Sequence, residues 1–145
     1  MQANSKVHPP SALLGVCGIY DIPLILKNHA SSPYYQIYED FVIGAFGLDE
    51  EVWKQQSPSF YKNFEEWQSE PGRVAILASS EEDELVEAEQ LEVMYQTLSV
   101  SVGVKPRRMT HLRGAHNEVF NKGVGLAEVI KAGLAGLIEG GVRFA

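Results

Sequence analysis

Two uninterrupted apolar runs constrain this chain more than anything else in it: Leu13-Leu14-Gly15-Val16-Cys17-Gly18-Ile19-Tyr20 and Val74-Ala75-Ile76-Leu77-Ala78. A strand with one wet face alternates apolar and polar residues, whereas a strand covered on both faces reads as a continuous apolar stretch. Both runs therefore belong in a parallel sheet with helices on its faces. The segments between and after them carry helical spacing, so the order is β–α–α–β–α–β–α, an α/β layer architecture. With 145 residues there is room for one such domain.

The helices are punctuated. Ser32 can cap the first, Pro33 suits its first position and Gly47 lies past its end. Tyr34, Ile37, Tyr38, Phe41, Val42 and Ala45 share one face of it, the predicted buried face. Asp49 caps a short helix through Trp53, which Ser57-Pro58 breaks. An acidic helix is expected from about Glu84 to a point between Leu98 and Gly103, with Leu91, Met94, Tyr95 and Leu98 turned inward. Arg107 to Arg113 reads as a weaker strand near an edge, and Gly114-Ala115-His116-Asn117 as a turn. A closing helix follows, with Ala127, Ile130, Leu134, Leu137 and Ile138 as its apolar face.

Charge and cysteine usage narrow the functional classes. The 12 basic and 19 acidic residues leave −7, which argues against nucleic acid as a partner. Seven of the acids fall within residues 81–98, which hold no Lys or Arg, and the remainder balances at 12 against 12. The excess is thus one acidic segment and not a protein-wide field. A single cysteine, Cys17, excludes an internal disulfide framework and suits a reducing, cytoplasmic setting. No apolar run reaches the roughly 20 residues of a membrane span, and Asp21 interrupts the one stretch that resembles a signal peptide. His111 and His116 are spaced to face different ways, so no metal site is expected, and Gly123-Val124-Gly125 does not make a dinucleotide loop.

Asp83 and His116 are the candidate chemical pair. Asp83 immediately follows the second apolar strand and His116 follows the third, and in open α/β sheets functional groups gather at the carboxyl ends of the strands. A carboxylate that meets an imidazole there fixes its tautomer and stabilises its protonated form. The plainer alternative is that Asp83 caps a helix and His116 is a surface turn residue. Glu82 and Glu84 compete with Asp83 for the acid role. Cys17, in the middle of an apolar run, is expected to be a small buried hydrophobe. Tyr20 and Asp21 end the first strand on the same side, where they could touch a substrate, support the pair or cap the next segment.

The stretches ILASSEEDELVEAEQ and RRMTHLRGAHNEVF, followed by a closing helix, resemble the C-terminal half of an α/β-hydrolase. GVCGIYDI resembles the strand after the nucleophile, and Ser57-Pro58 the Ser-Pro before the acid strand. The likeness is greatest to the fungal kynurenine formamidase-like branch, through Asp83-Glu84-Leu85 and Gly114-Ala115-His116-Asn117. The resemblance implies a partial α/β-hydrolase fold, with C-terminal parallel strands, flanking helices and a small helical lid-like insertion. It implies that Asp83 and His116 are the acid and base of a serine hydrolase with no cofactor. The substrate would be a small formamide, such as N-formylkynurenine in tryptophan breakdown, or an ester. The sequence contains neither Gly-x-Ser-x-Gly nor His-Gly-Gly. Residues 1–145 are therefore expected to form one incomplete domain without nucleophile or oxyanion hole, inactive alone. An interaction module that pairs through the open sheet edge, or a homo-oligomer, is the alternative.

Overall fold

The computed structural model describes residues 9–62, 64–68, 72–100 and 105–141. Three strands, β1 (Ala12–Val16), β2 (Val74–Ser80) and β3 (Arg107–Leu112), form a parallel sheet in the order β1-β2-β3. Leu14 pairs with Ile76 and Ala78 with Met109, and the ladder between β2 and β3 is irregular between Ala78 and Ser80. Every residue of β2 is buried, as its unbroken apolar run requires. The fold is α/β, with helices on both faces of the sheet.

On one face lie α6 (His116–Lys122) and α7 (Val124–Glu139), closing over Val74, Ile76, Ala78 and Leu112. On the other, α5 (Ala88–Ser99) sets Leu91, Met94 and Leu98 against Ala75 and Leu77. Between β1 and β2 the chain builds α1 (Ile22–Asn28), α2 (Tyr35–Phe46), α3 (Glu50–Gln56), a 3₁₀ turn (Pro58–Phe60) and α4 (Phe64–Gln68). The first three share a small core of Ile22, Leu26 and Val42, flanked by Tyr38 and Trp53.

Several local expectations shift. The first strand stops at Val16, and Cys17 follows with φ +46°, a left-handed backbone that side chains rarely tolerate. Asp21 then caps α1, its Oδ1 accepting the Leu24 amide at 2.9 Å, with Pro23 in the first turn. On α2 only Val42 is buried, while Ile37 and Phe41 are 65% and 60% exposed, so the apolar stripe is not its core face. The acidic helix begins at Ala88 and ends at Ser99; Gly103 lies outside the described residues. The expected turn at His116 is the start of α6.

The closing helix is rotated relative to its apolar pattern. Val129, Gly133, Gly136 and Leu137 face the sheet, whereas Ile130, Leu134 and Ile138 stay exposed. The glycines decide this. A Cβ at Gly133 would lie 3.0 Å from the Leu14 side chain, and one at Gly136 would lie 3.0 Å from Val74. The helix backbone therefore presses on the sheet, and larger apolar residues are left beside the contact. Leu14 remains 38% exposed on β1, which has no neighbour on its outer side among the described residues.

Candidate active site

Because the strands are parallel, the loops after β1, β2 and β3 emerge on one rim of the sheet. Residues 81–87, after β2, carry the acids, and 113–115, after β3, lead to the histidine. Gly114 has φ +104°, a conformation suited to glycine. It turns the chain so that His116 opens α6 directly above the rim.

The two loops are stitched together. Ser80, 4% exposed at the end of β2, donates its hydroxyl to the Gly114 carbonyl at 2.7 Å and accepts the Glu82 amide. Glu82 accepts the Gly114 amide at 3.0 Å, and Glu84 accepts the His116 backbone amide at 3.0 Å. Between them Asp83 reaches the ring: His116 Nδ1 lies 2.9 Å from Asp83 Oδ2 and 3.1 Å from Oδ1. Three neighbouring acids thus divide the work, two holding backbone and one holding imidazole.

Asp83 is committed to this geometry. Its Oδ1 also accepts the amides of Leu85 and Val86, at 3.0 and 2.9 Å, and its side chain is only 1% exposed. Three donors converge on a buried carboxylate, the condition under which burial of a charge is tolerated. The imidazole is 21% exposed, with the Phe120 ring 5.5 Å away. With Nδ1–H donated to the carboxylate, neutral His116 carries its lone pair on Nε2, to which no described residue hydrogen-bonds. A proton acceptor so oriented is the working form of a general base.

The other candidates take different places. Cys17 is 6% exposed, and burial, then the neighbouring Asp83 carboxylate, push its thiol up to about 11. Such a thiol is protonated at neutral pH and a poor nucleophile. It is nonetheless at the rim and not mid-strand, because β1 ends one residue before it. The Asp21 carboxylate is engaged in capping α1. Tyr20 is packed into the core beneath α5, and burial pushes its phenol up to about 12. Ser80, as the stitch between loops, and Gln90, fully buried, escaped the sequence reading. Gln90 had a signal, since it sits on the buried side of the acidic helix, four residues before Met94 and eight before Leu98.

Fold and rim define an α/β protein in which a buried carboxylate orients a histidine at the carboxyl ends of parallel strands. Over 126 residues, 84% of the chain, it is 37% identical to a kynurenine formamidase-like hydrolase of Fusarium equiseti. The chain spans 40% of the length of that protein. No protein-family model matches the chain, and no solved structure matches it significantly. Among the described residues, no helix is long and apolar enough to cross a membrane.

Proposed function

We propose that this chain supplies the acid and base of a serine hydrolase acting on a small N-formyl amide of the N-formylkynurenine type. The observation that carries the reading is the 2.9 Å contact between a buried carboxylate and the Nδ1 of a partly exposed imidazole. The similarity to a kynurenine formamidase-like hydrolase supports the substrate class. The nucleophilic serine and the oxyanion donors come from polypeptide beyond these residues, since the sequence holds no Gly-x-Ser-x-Gly. His116 Nε2 takes the serine proton as its oxygen attacks the formyl carbon, then passes it to the departing amine nitrogen. Asp83 holds the ring and stabilises the imidazolium formed between those steps. Water, deprotonated by His116 Nε2, then attacks the formyl-enzyme and releases formate, the proton passing from Nε2 to the leaving serine oxygen. No metal or organic cofactor enters the scheme.

The 145 residues alone should not hydrolyse N-formylkynurenine, because oxyanion donors are worth about 10²–10³ in rate each and the nucleophile is lacking. In the chain extended to include a serine elbow, turnover should appear, and His116→Ala should lower kcat by about 10⁴-fold or more. Turnover by the 145 residues that serine-directed inhibitors abolish would overturn the reading. So would a mild loss in the histidine variant. An esterase of the same apparatus would show itself by preferring p-nitrophenyl acetate over the formamide. A second reading, a non-catalytic module pairing through its sheet edge, is favoured by the outer side of β1, unpaired among the described residues, and by half-exposed Leu14. It predicts that the extended chain remains inactive.

A further inference from the structure

The acid loop, residues 81–87, belongs to neither helix nor strand, yet Asp83 must be held closely for its contact with His116 to persist. Two side chains from distant parts of the chain hold that loop without touching the histidine. The first is Tyr38 on α2, whose hydroxyl donates to the carbonyl of Leu85. The amide of that same Leu85 donates to Asp83 Oδ1 at 3.0 Å. Leu85 is therefore a pivot with its N–H on the carboxylate and its C=O on the phenol.

The second is Gln90, at 0% exposure. Its Oε1 accepts the amides of Tyr20 and Asp21, both at 2.8 Å. Its Nε2 donates to the Asp21 carbonyl and to Glu87 Oε1, both at 3.0 Å. All four hydrogen-bonding positions of the amide are used, which joins the exit of β1 to the far end of the acid loop. Glu87 is held again from the C-terminal end of α1, by Asn28 Nδ2 at 3.1 Å and by Nε2 of the capping residue His29 at 3.3 Å. The His29 ring in turn lies 4.7 Å from that of Tyr38. The loop is thus clamped at Leu85 and at Glu87, one residue on either side of buried Val86.

We infer that Tyr38 and Gln90 are positioning residues for the Asp83–His116 pair. Tyr38 acts through the Leu85 peptide and Gln90 through Glu87 and the start of α5. Together they keep the carboxylate at the angle that selects the Nδ1–H form of the imidazole. The helical insertion is then part of the acid–base apparatus as well as a cover for the sheet. The inference rests on the acid–base reading of the pair, but its test requires no turnover.

The readout is the tautomer of neutral His116, measured by ¹⁵N NMR on the chain as it stands, together with amide exchange at Val86. Tyr38→Phe keeps the ring against His29 and removes only the hydroxyl. It should lower the ratio of Nδ1–H to Nε2–H forms by about tenfold, the worth of one hydrogen bond of about 1.4 kcal/mol, and quicken Val86 exchange by a similar factor. Gln90→Met should act in the same direction if it folds; the tyrosine variant suffices if it does not. In an Asp83→Asn background, Tyr38→Phe should leave the ratio unchanged, since its route to the ring is gone. A Tyr38→Phe protein with faster exchange but an unaltered ratio would overturn the inference, leaving a merely structural contact. A change in ratio that persists without Asp83 would overturn it also. A wild-type His116 with no Nδ1–H preference would overturn the pair itself, a failure visible before any substitution is made.

Discussion

Replacing Tyr20 by Phe removes a single oxygen from the core beneath α5. The tyrosine is 9% exposed and packs among Ala75, Leu77, Leu91 and Met94. Its hydroxyl turns back over β1: a Cβ built on Gly15 would lie 2.0 Å from it, and one on Gly18 would lie 2.8 Å away. No described residue hydrogen-bonds that buried oxygen. A hydroxyl left in this state costs about 1–3 kcal/mol, whereas the space vacated by one atom is too small to admit water and adds little. The ring contacts are kept, so Tyr20→Phe should stabilise the chain by about 1 kcal/mol, or roughly 3 °C in melting temperature for a domain of this size. Urea unfolding followed by circular dichroism reads this as a higher midpoint at unchanged m. A lower midpoint would show that the hydroxyl has a partner and would refute the reasoning. Gly15→Ala should move the other way by about 1–3 kcal/mol, because its Cβ and the hydroxyl cannot coexist at 2.0 Å. Combined with Tyr20→Phe it should recover only part, since the ring carbon Cζ would still lie 3.0 Å from that Cβ.

Stability should decline as the pH rises from about 9 toward 11, because the unfolded Cys17 thiol ionises near its ordinary 9.0 while the folded one holds its proton to about 11. Tyr20 and Tyr38, each raised from 10.0 to about 12, extend the loss in the same direction, and Cys17→Ala should flatten its lower part. Two units of difference also predict that iodoacetamide labels Cys17 about 100-fold more slowly in the native chain than in urea at pH 8; equal rates would contradict its burial. The chain should associate through β1 and the stripe of Ile130, Leu134 and Ile138, exposed by 43%, 45% and 62%. Leu134→Glu with Ile138→Lys should then shift sedimentation toward monomer at a stability change within about 0.5 kcal/mol per site. A wild-type monomer at every concentration would exclude that surface as an interface.

What could be read in advance followed from local chemistry. The apolar run of β2 announced a buried strand, and Asp49 announced its helix by capping it, with Oδ1 on the Glu51 amide. Helix α1 was missed, since the first helix was expected after Ser32-Pro33; its signal was Asp21-Ile22-Pro23, a cap followed by proline, hidden behind an apolar run that drew the strand too far. The acidic segment misled in a different way. Its charges suggested a helix from Glu84, but Asp83 folds back on the amides of Leu85 and Val86, and that competing turn delays the helix to Ala88.

By itself, then, the order of residues determined an α/β alternation and set an acidic segment and a histidine turn after successive strands. Asp83 was already the first candidate for the acid, ahead of Glu82 and Glu84. Only the assembled tertiary structure decided how the three divide, with Glu82 and Glu84 on the amides of Gly114 and His116, through the register of β2 against β3, the Ser80–Gly114 bond and the left-handed turn at Gly114. It likewise decided that α7 presses its glycines and not its isoleucines on the sheet. Apolar periodicity records how greasy a face is, whereas close packing depends on how near two backbones can come, and that distance belongs to pairs of residues far apart in the chain.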